Sequence, residues 1–229
     1  MELYGKKSAS IPQKVIIILL EVVLLYLAYQ ILFGSVGAVI FGWFKWPAPV
    51  GNYQRSMVNF VFSIIIFLRM TYMMLFLMKR YMPYEEAISV PLAFSLYYIG
   101  YALLTCNTNK PLDGVDYIGI TIFAIGCFFN SFSEIQRNHW KQIPEHKGKI
   151  YTERLFSLSM HINYFGDLLW VIGYAIISRN VWSAAIPVFL FCFFAFYNIP
   201  KLDAYLKEHY GKQFDEYAAK TKKFIPFIY

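Results

Sequence analysis

Charged side chains are scarce in this 229-residue sequence: Asp, Glu, Lys and Arg together make up 15% of it. A soluble domain carries roughly a quarter, so too little polar surface is present to cover a globule of this length in water. Cysteine is equally thin. Cys106, Cys127 and Cys192 are too few and too scattered for a disulfide framework or a zinc site, and no other His, Asp or Glu spacing suggests a metal. The sequence also lacks a Gly-x-Gly-x-x-Gly after a strand, a Walker loop and a Gly-x-Ser-x-Gly elbow. Their absence excludes a Rossmann sheet, a P-loop and an α/β-hydrolase nucleophile. No cleavable signal peptide is evident. The first apolar run, Val15–Phe33, is longer than a signal core and lacks a small-residue cleavage site, so it reads as a retained helix.

What is abundant is apolar. Hydrophobic residues make up 58% of the chain and aromatic residues 20%, with a mean hydropathy of +0.44. Apolar runs of about 18 residues or more cross the hydrocarbon layer. Spans are expected near Val15–Phe33, Val58–Met78, Ile88–Leu104, Val115–Phe132, Asn163–Ile177 and Ala184–Phe196. The short stretch Val36–Phe44, followed by Lys45, Trp46 and Pro47, suits an interfacial or re-entrant element, or part of a seventh span. The expected fold class is all-α: a polytopic transmembrane bundle of about six to seven spans. It forms one integral membrane domain over residues 1–229, without internal repeats.

The net charge of +7 does not point to nucleic acid, because the basic residues gather at the ends of the apolar runs. There they act as topology determinants. Sixteen of them, among them Lys6, Lys7, Lys79, Arg80, Arg137, Lys141 and Lys201, fall in segments that alternate with those holding Lys45, Arg55, Lys110 and Arg179. The bias places both termini in the cytosol. The host membrane is either a bacterial inner membrane or the endoplasmic reticulum.

Two polar constellations interrupt the apolar pattern. Asn130, Glu134, Arg137 and Lys141 are spaced by four, three and four residues, which puts them on one helix face running from the fourth span into the cytosolic loop. His161, Asn163 and Asp167 open the fifth span. Polar groups at that depth face a cavity or a partner. The amides fit either a helix–helix hydrogen bond or a carboxamide or adenine edge, since each both donates and accepts. Arg137, Lys141, Lys147 and Lys149 suit phosphates, or serve only as orientation signals. Glu21 lies in the middle of the first span, where an ionisable group needs a partner. Arg69, in the second span, is one candidate. From Lys201 the tail is amphipathic, and its last residues, Phe224–Tyr229, are apolar enough to lie on the membrane.

The string His161-Ile162-Asn163-Tyr164-Phe165-Gly166-Asp167 resembles the His-x-Asn-Tyr-x-Gly-Asp motif of the sterol Δ14 and Δ7 reductases. Trp170-Val171-Ile172-Gly173-Tyr174-Ala175 is similar to the Trp-Ile-Gly-Tyr-Ala of the steroid 5α-reductases. Ile225-Pro226-Phe227-Ile228-Tyr229 is similar to their Ile-Pro-Phe-Ile-Phe ending. The resemblance covers about residues 115–229 and implies the membrane fold shared with isoprenylcysteine carboxyl methyltransferases. It further implies NADPH binding by residues 115–229, with residues 1–114 on the substrate side. The cofactor set so implied is Asn130, Glu134, Arg137, Lys141, His161, Asn163, Tyr164, Asp167 and Tyr205. The chain departs from the family in its second span. The 5α-reductases carry His-Tyr-x-x-Arg there, whose tyrosine polarises the steroid ketone; Ile66–Arg69 keeps the arginine without that tyrosine, and Tyr72 is one turn away. In the tail, the sterol reductase Arg-Asp-Glu is reduced to Lys201-Leu202-Asp203.

The resulting expectation is an NADPH-dependent reductase of a carbon–carbon double bond in a lipophilic substrate such as a steroid, sterol, polyprenoid or enone lipid. Tyr72 and Glu21, with the Tyr84-Glu85-Glu86 group, are the candidate proton donors. Two alternatives stand beside it: an S-adenosylmethionine-dependent methyltransferase of isoprenylcysteine or lipid, and a non-catalytic lipid-binding relative. The expected partners are the bilayer and a lipophilic small molecule.

Overall fold

A computed structural model describes residues 8–229; Lys6 and Lys7, assigned above to the cytosolic side, lie outside the described residues. Helices dominate throughout. They are α1 (Ile11–Phe33), α2 (Val36–Trp43), α3 (Tyr53–Leu77), α4 (Tyr84–Thr105), α5 (Gly114–Gln142), α6 (Ile162–Ser178), α7 (Val181–Tyr210) and α8 (Lys212–Lys220). Five of these, α1, α3, α4, α5 and α7, are long and apolar enough to cross a membrane. The sixth expected span is the shorter α6, whose 17 residues reach about 26 Å. Leu19, Leu92 and Phe189 are each at least 60% exposed. Apolar side chains on the outside of long helices belong to a protein whose solvent is lipid.

Most helices run past the apolar segments that announced them. The apolar run marks only the part inside hydrocarbon, while polar caps and ends extend the helix on either side. Asn52 caps α3 by accepting from Arg55 N at 3.1 Å, and Asp113 caps α5 by accepting from Val115 N at 2.9 Å. Helix α7 continues unbroken from the last apolar run into the amphipathic tail and stops at Gly211, whose φ of +52° ends it. The stretch after α1 forms the short helix α2.

The chain divides into two compact units. The first comprises the chain to Ile120 together with Tyr174–Ala184. In it α1 packs against α3 and α4, around a polar core. Glu21 is fully buried, and its carboxylate accepts from Tyr98 Oη at 3.2 Å. Asn59 donates to Thr105 Oγ1 at 2.8 Å, and Tyr174 Oη donates to the Asn59 carbonyl at 3.0 Å. Tyr174 is also bonded to Ser63 and stacks on Tyr101 at 4.5 Å.

The same unit corrects one reading of the sequence. Arg55, counted among the outside loop charges, is fully buried in the first turn of α3. All five of its N–H groups are used. Nε donates to the Lys110 carbonyl at 3.2 Å; Nη1 to Asp116 Oδ1 and the Ile177 carbonyl, each at 2.6 Å; Nη2 to the Pro111 carbonyl at 3.0 Å and Asp116 Oδ2 at 2.9 Å. Arg179 adds a second cation, with Nε 3.1 Å from Asp116 Oδ1 and an ion pair to Asp113. A bidentate guanidinium that also satisfies three carbonyls ties the ends of α3, α5 and α6 together within this unit.

Candidate functional site

The second unit comprises Thr121–Gly173 and Ala185–Tyr229, and it holds the residues singled out from the sequence. Its frame is the contact between α5 and α6. A Cβ on Gly126 would stand 2.7 Å from the Gly166 carbonyl, and one on Gly166 2.8 Å from the Gly126 carbonyl. Only glycine at both positions lets the two backbones approach so closely. That contact brings Asn130 Nδ2 to 3.0 Å from the Asn163 carbonyl.

One turn further along α5, Glu134 Oε2 receives Arg137 Nη2 at 2.5 Å. Arg137, Lys141, His161 and Asn163 then line a single recess of about 50 Å³, closed by Tyr210 and Tyr217. Apolar side chains of α7, Leu202 and Leu206, complete its wall. Arg137 also lies over the Phe156 ring, 5.5 Å from its centroid. Tyr217 Oη donates to the Phe156 carbonyl at 2.5 Å, and burial pushes that phenol above the usual tyrosine range. A second, more polar pocket of about 340 Å³ shares Ile150 and Tyr217 with the recess and carries Lys149, Thr152 and Lys220.

The other candidates occupy different surroundings. Tyr164 is stacked between His161 and Phe194, with centroids 5.7 and 4.6 Å away. Asp167 Oδ1 accepts from Trp170 Nε1 at 2.8 Å. Tyr205, on α7, stacks on His209 and is not among the residues lining the recess. Tyr72 is 45% exposed and rests on Phe76. Among the described residues no group of three or more His, Cys, Asp or Glu could hold a metal ion.

Two participants were not singled out for this site. Asp203 Oδ1 lies 2.8 Å from His161 Nε2, and Lys223 Nζ lies 3.1 Å from Asp203 Oδ2. The apolar ending splits rather than lying uniformly on a membrane: Phe224 is fully buried against Phe191 and Phe194, whereas Phe227 is 79% exposed. The available signal for Asp203 was its place in Lys201-Leu202-Asp203, the stretch that resembles the sterol reductase Arg-Asp-Glu. The contact with Lys223 spans 20 residues and has no local signature.

The recess suits one small polar group, such as a phosphate or a carboxamide. A dinucleotide needs a cleft several times larger, ~300 Å³ or more, so binding one requires the α7 and α8 side chains over the recess to move. Two cations, an imidazole and an amide are among the residues lining the recess, a donor set of the kind such a ligand takes.

The family described as "Protein of unknown function (DUF1295)" matches residues 77–221, well over half of the chain. The chain belongs to that family. Curated relatives of this DUF1295 protein carry two kinds of name. A rice protein (Oryza sativa subsp. indica) named "Probable protein-S-isoprenylcysteine O-methyltransferase" is 29% identical over 124 residues, 50% of this chain and 62% of the relative. "Protein-S-isoprenylcysteine O-methyltransferase B" of Arabidopsis thaliana is 35% identical over 108 residues, 47% of this chain and 51% of the relative. Human "3-oxo-5-alpha-steroid 4-dehydrogenase 1" is 36% identical over 117 residues, 49% of this chain and 41% of the relative. This chain thus spans less than two thirds of the length of each of these relatives.

Proposed function

We propose that this DUF1295 protein is a membrane-embedded enzyme that reduces a carbon–carbon double bond of a lipophilic substrate with NADPH. One observation carries the reading: Arg137 and Lys141 converge with His161 and Asn163 on one recess. NADPH presents several phosphate charges and a carboxamide, for which two cations and an amide are the matching donors. S-adenosylmethionine carries no phosphate and offers that pair a single carboxylate, beside its own sulfonium and ammonium charges. NADPH, when bound, supplies a hydride. In this reading Asn163 orients the carboxamide, while Arg137, kept in place by Glu134, and Lys141 hold phosphate oxygens. Lys149 and Lys220 in the neighbouring pocket take the more remote phosphate.

Among the candidate proton donors, Glu21 is buried and bonded to Tyr98, whereas Tyr72 is half exposed. A carboxyl kept inside a span is functional by default. In this reading the Glu21 carboxyl, in its protonated form, is the proton donor. The recess faces the cytosol of a bacterial cell, or lies on the cytosolic face of the endoplasmic reticulum, on the charge bias of the loops.

A methyltransferase is the second reading, favoured by the names of the rice and Arabidopsis relatives. Thermal stability of the purified protein in detergent, titrated with NADPH and with S-adenosylmethionine, separates the two. A ligand at 100 times its dissociation constant adds about 2.7 kcal/mol. Stabilisation by NADPH is expected. Stabilisation by S-adenosylmethionine alone would transfer the assignment to methyl transfer, and no response to either would favour a non-catalytic lipid-binding protein.

A further inference from the structure

His161 sits in the wall of the recess with 1% of its surface exposed. Its Nε2 lies 2.8 Å from Asp203 Oδ1. A carboxylate can only accept, so in the neutral ring the proton is on Nε2 and Nδ1 is left as an acceptor. Among the described residues Nδ1 has no hydrogen bond.

The ring is fixed from several sides. Tyr164 stacks nearly parallel on it, at 12°. The His161 backbone N–H donates to the Lys223 carbonyl at 3.1 Å, and Met160 N to the Lys222 carbonyl at 2.8 Å. Ser159 Oγ donates to the Phe224 carbonyl, also at 2.8 Å. Lys223 Nζ lies 3.1 Å from Asp203 Oδ2, an ion pair that steadies the carboxylate against the ring. A ring held this firmly, with one nitrogen spent on a carboxylate and the other unmet, is arranged for recognition.

We propose that His161 Nδ1 accepts a hydrogen bond from an N–H or O–H group of the bound cofactor, and that Asp203 is the positioning residue that selects the Nε2–H tautomer for it. The inference rests on reading the recess as the cofactor site, and its first test is independent of any cofactor. In protein labelled with ¹⁵N-histidine, the resonances of His161 are identified by their loss in His161→Gln. Nδ1 should be unprotonated in the unliganded protein, and Asp203→Ala should give a mixture of tautomers. A protonated Nδ1 in the parent protein would overturn the proposal, as would a tautomer unaffected by Asp203→Ala.

The second test is a cycle on NADPH affinity, read by quenching of tryptophan fluorescence. Asp203→Ala should weaken binding about tenfold, the equivalent of one lost hydrogen bond. In a His161→Ala background the same change should alter affinity less than about twofold. Equal losses in both backgrounds would show that Asp203 does not act through His161. Asp203→Asn keeps an acceptor facing Nε2 and should retain most of the affinity and the tautomer; a loss as large as that of Asp203→Ala would contradict the tautomer argument. Parent protein that binds no NADPH would sink the cofactor reading, while the labelling measurement still decides whether Asp203 sets the tautomer of His161.

Discussion

Replacing Arg55 by methionine tests the polar anchor of the first unit. The guanidinium makes two bonds to Asp116 and one each to the carbonyls of Lys110, Pro111 and Ile177, all within 3.2 Å. Arg55→Met keeps the aliphatic bulk and removes all five. Breaking a buried ion pair by deleting one partner costs about 3–5 kcal/mol. Asp116 would retain Arg179 Nε at 3.1 Å and the Asp113 N–H at 2.8 Å, which moves the expected loss to the lower end, about 3 kcal/mol. For a chain of this size each kcal/mol lowers the unfolding midpoint by about 2–4 °C. A drop of roughly 6–12 °C should therefore appear in a thermal scan of detergent-purified protein followed by intrinsic tryptophan fluorescence. Arg55→Lys should fall nearly as far, because an ammonium cannot reproduce the fork. Adding Asp116→Leu to Arg55→Met should recover part of the loss by removing the stranded carboxylate. A midpoint within about 2 °C of the parent for both single variants would refute the claim that this pair anchors the unit.

Other outcomes follow from the second unit. Gly166→Ala places a methyl against the backbone of α5, where only backbone can yield. It should cost about 1–3 kcal/mol and weaken NADPH binding by separating Asn130 from Asn163; unchanged stability would show that the contact is looser than described. Asn163→Ala should weaken NADPH binding without lowering the unfolding midpoint of the unliganded protein, and unaltered affinity would place the pocket elsewhere. Arg137→Gln should weaken NADPH binding and flatten its dependence on ionic strength, read from titrations at low and high salt. An unchanged salt slope would remove Arg137 from the phosphate contacts.

The apolar runs, the polar stripe and the motif around Asn163 carried most of the architecture in local spacing. Asn130, Glu134, Arg137 and Lys141 share a helix face because the period of the helix puts them there, and the structure keeps Arg137 and Lys141 in one recess with Asn163 and His161. What local spacing could not carry was pairing at long range. Arg55 looked like a loop charge because nothing beside it in sequence reveals Asp116, 61 residues away. Glu21 called for a partner, but Tyr98, 77 residues on, is known only once α1 and α4 are packed. The link from His161 to Asp203 and Lys223 is of the same kind. Helix ends were also hidden, because hydropathy reports where lipid begins and not where the backbone stops bonding.

The most direct test of the proposed reaction follows the transferred atom. Purified protein is incubated with NADPH deuterated at the transferable position of its nicotinamide, together with a lipid extract, and the lipids are analysed by mass spectrometry. The expected product is a lipid that has gained two hydrogens, one of them deuterium on carbon, and less of it should form when Asn163→Ala replaces the parent protein at limiting NADPH. Lipids that carry no deuterium but acquire a labelled methyl group from S-adenosylmethionine in a parallel incubation would contradict the proposed reaction.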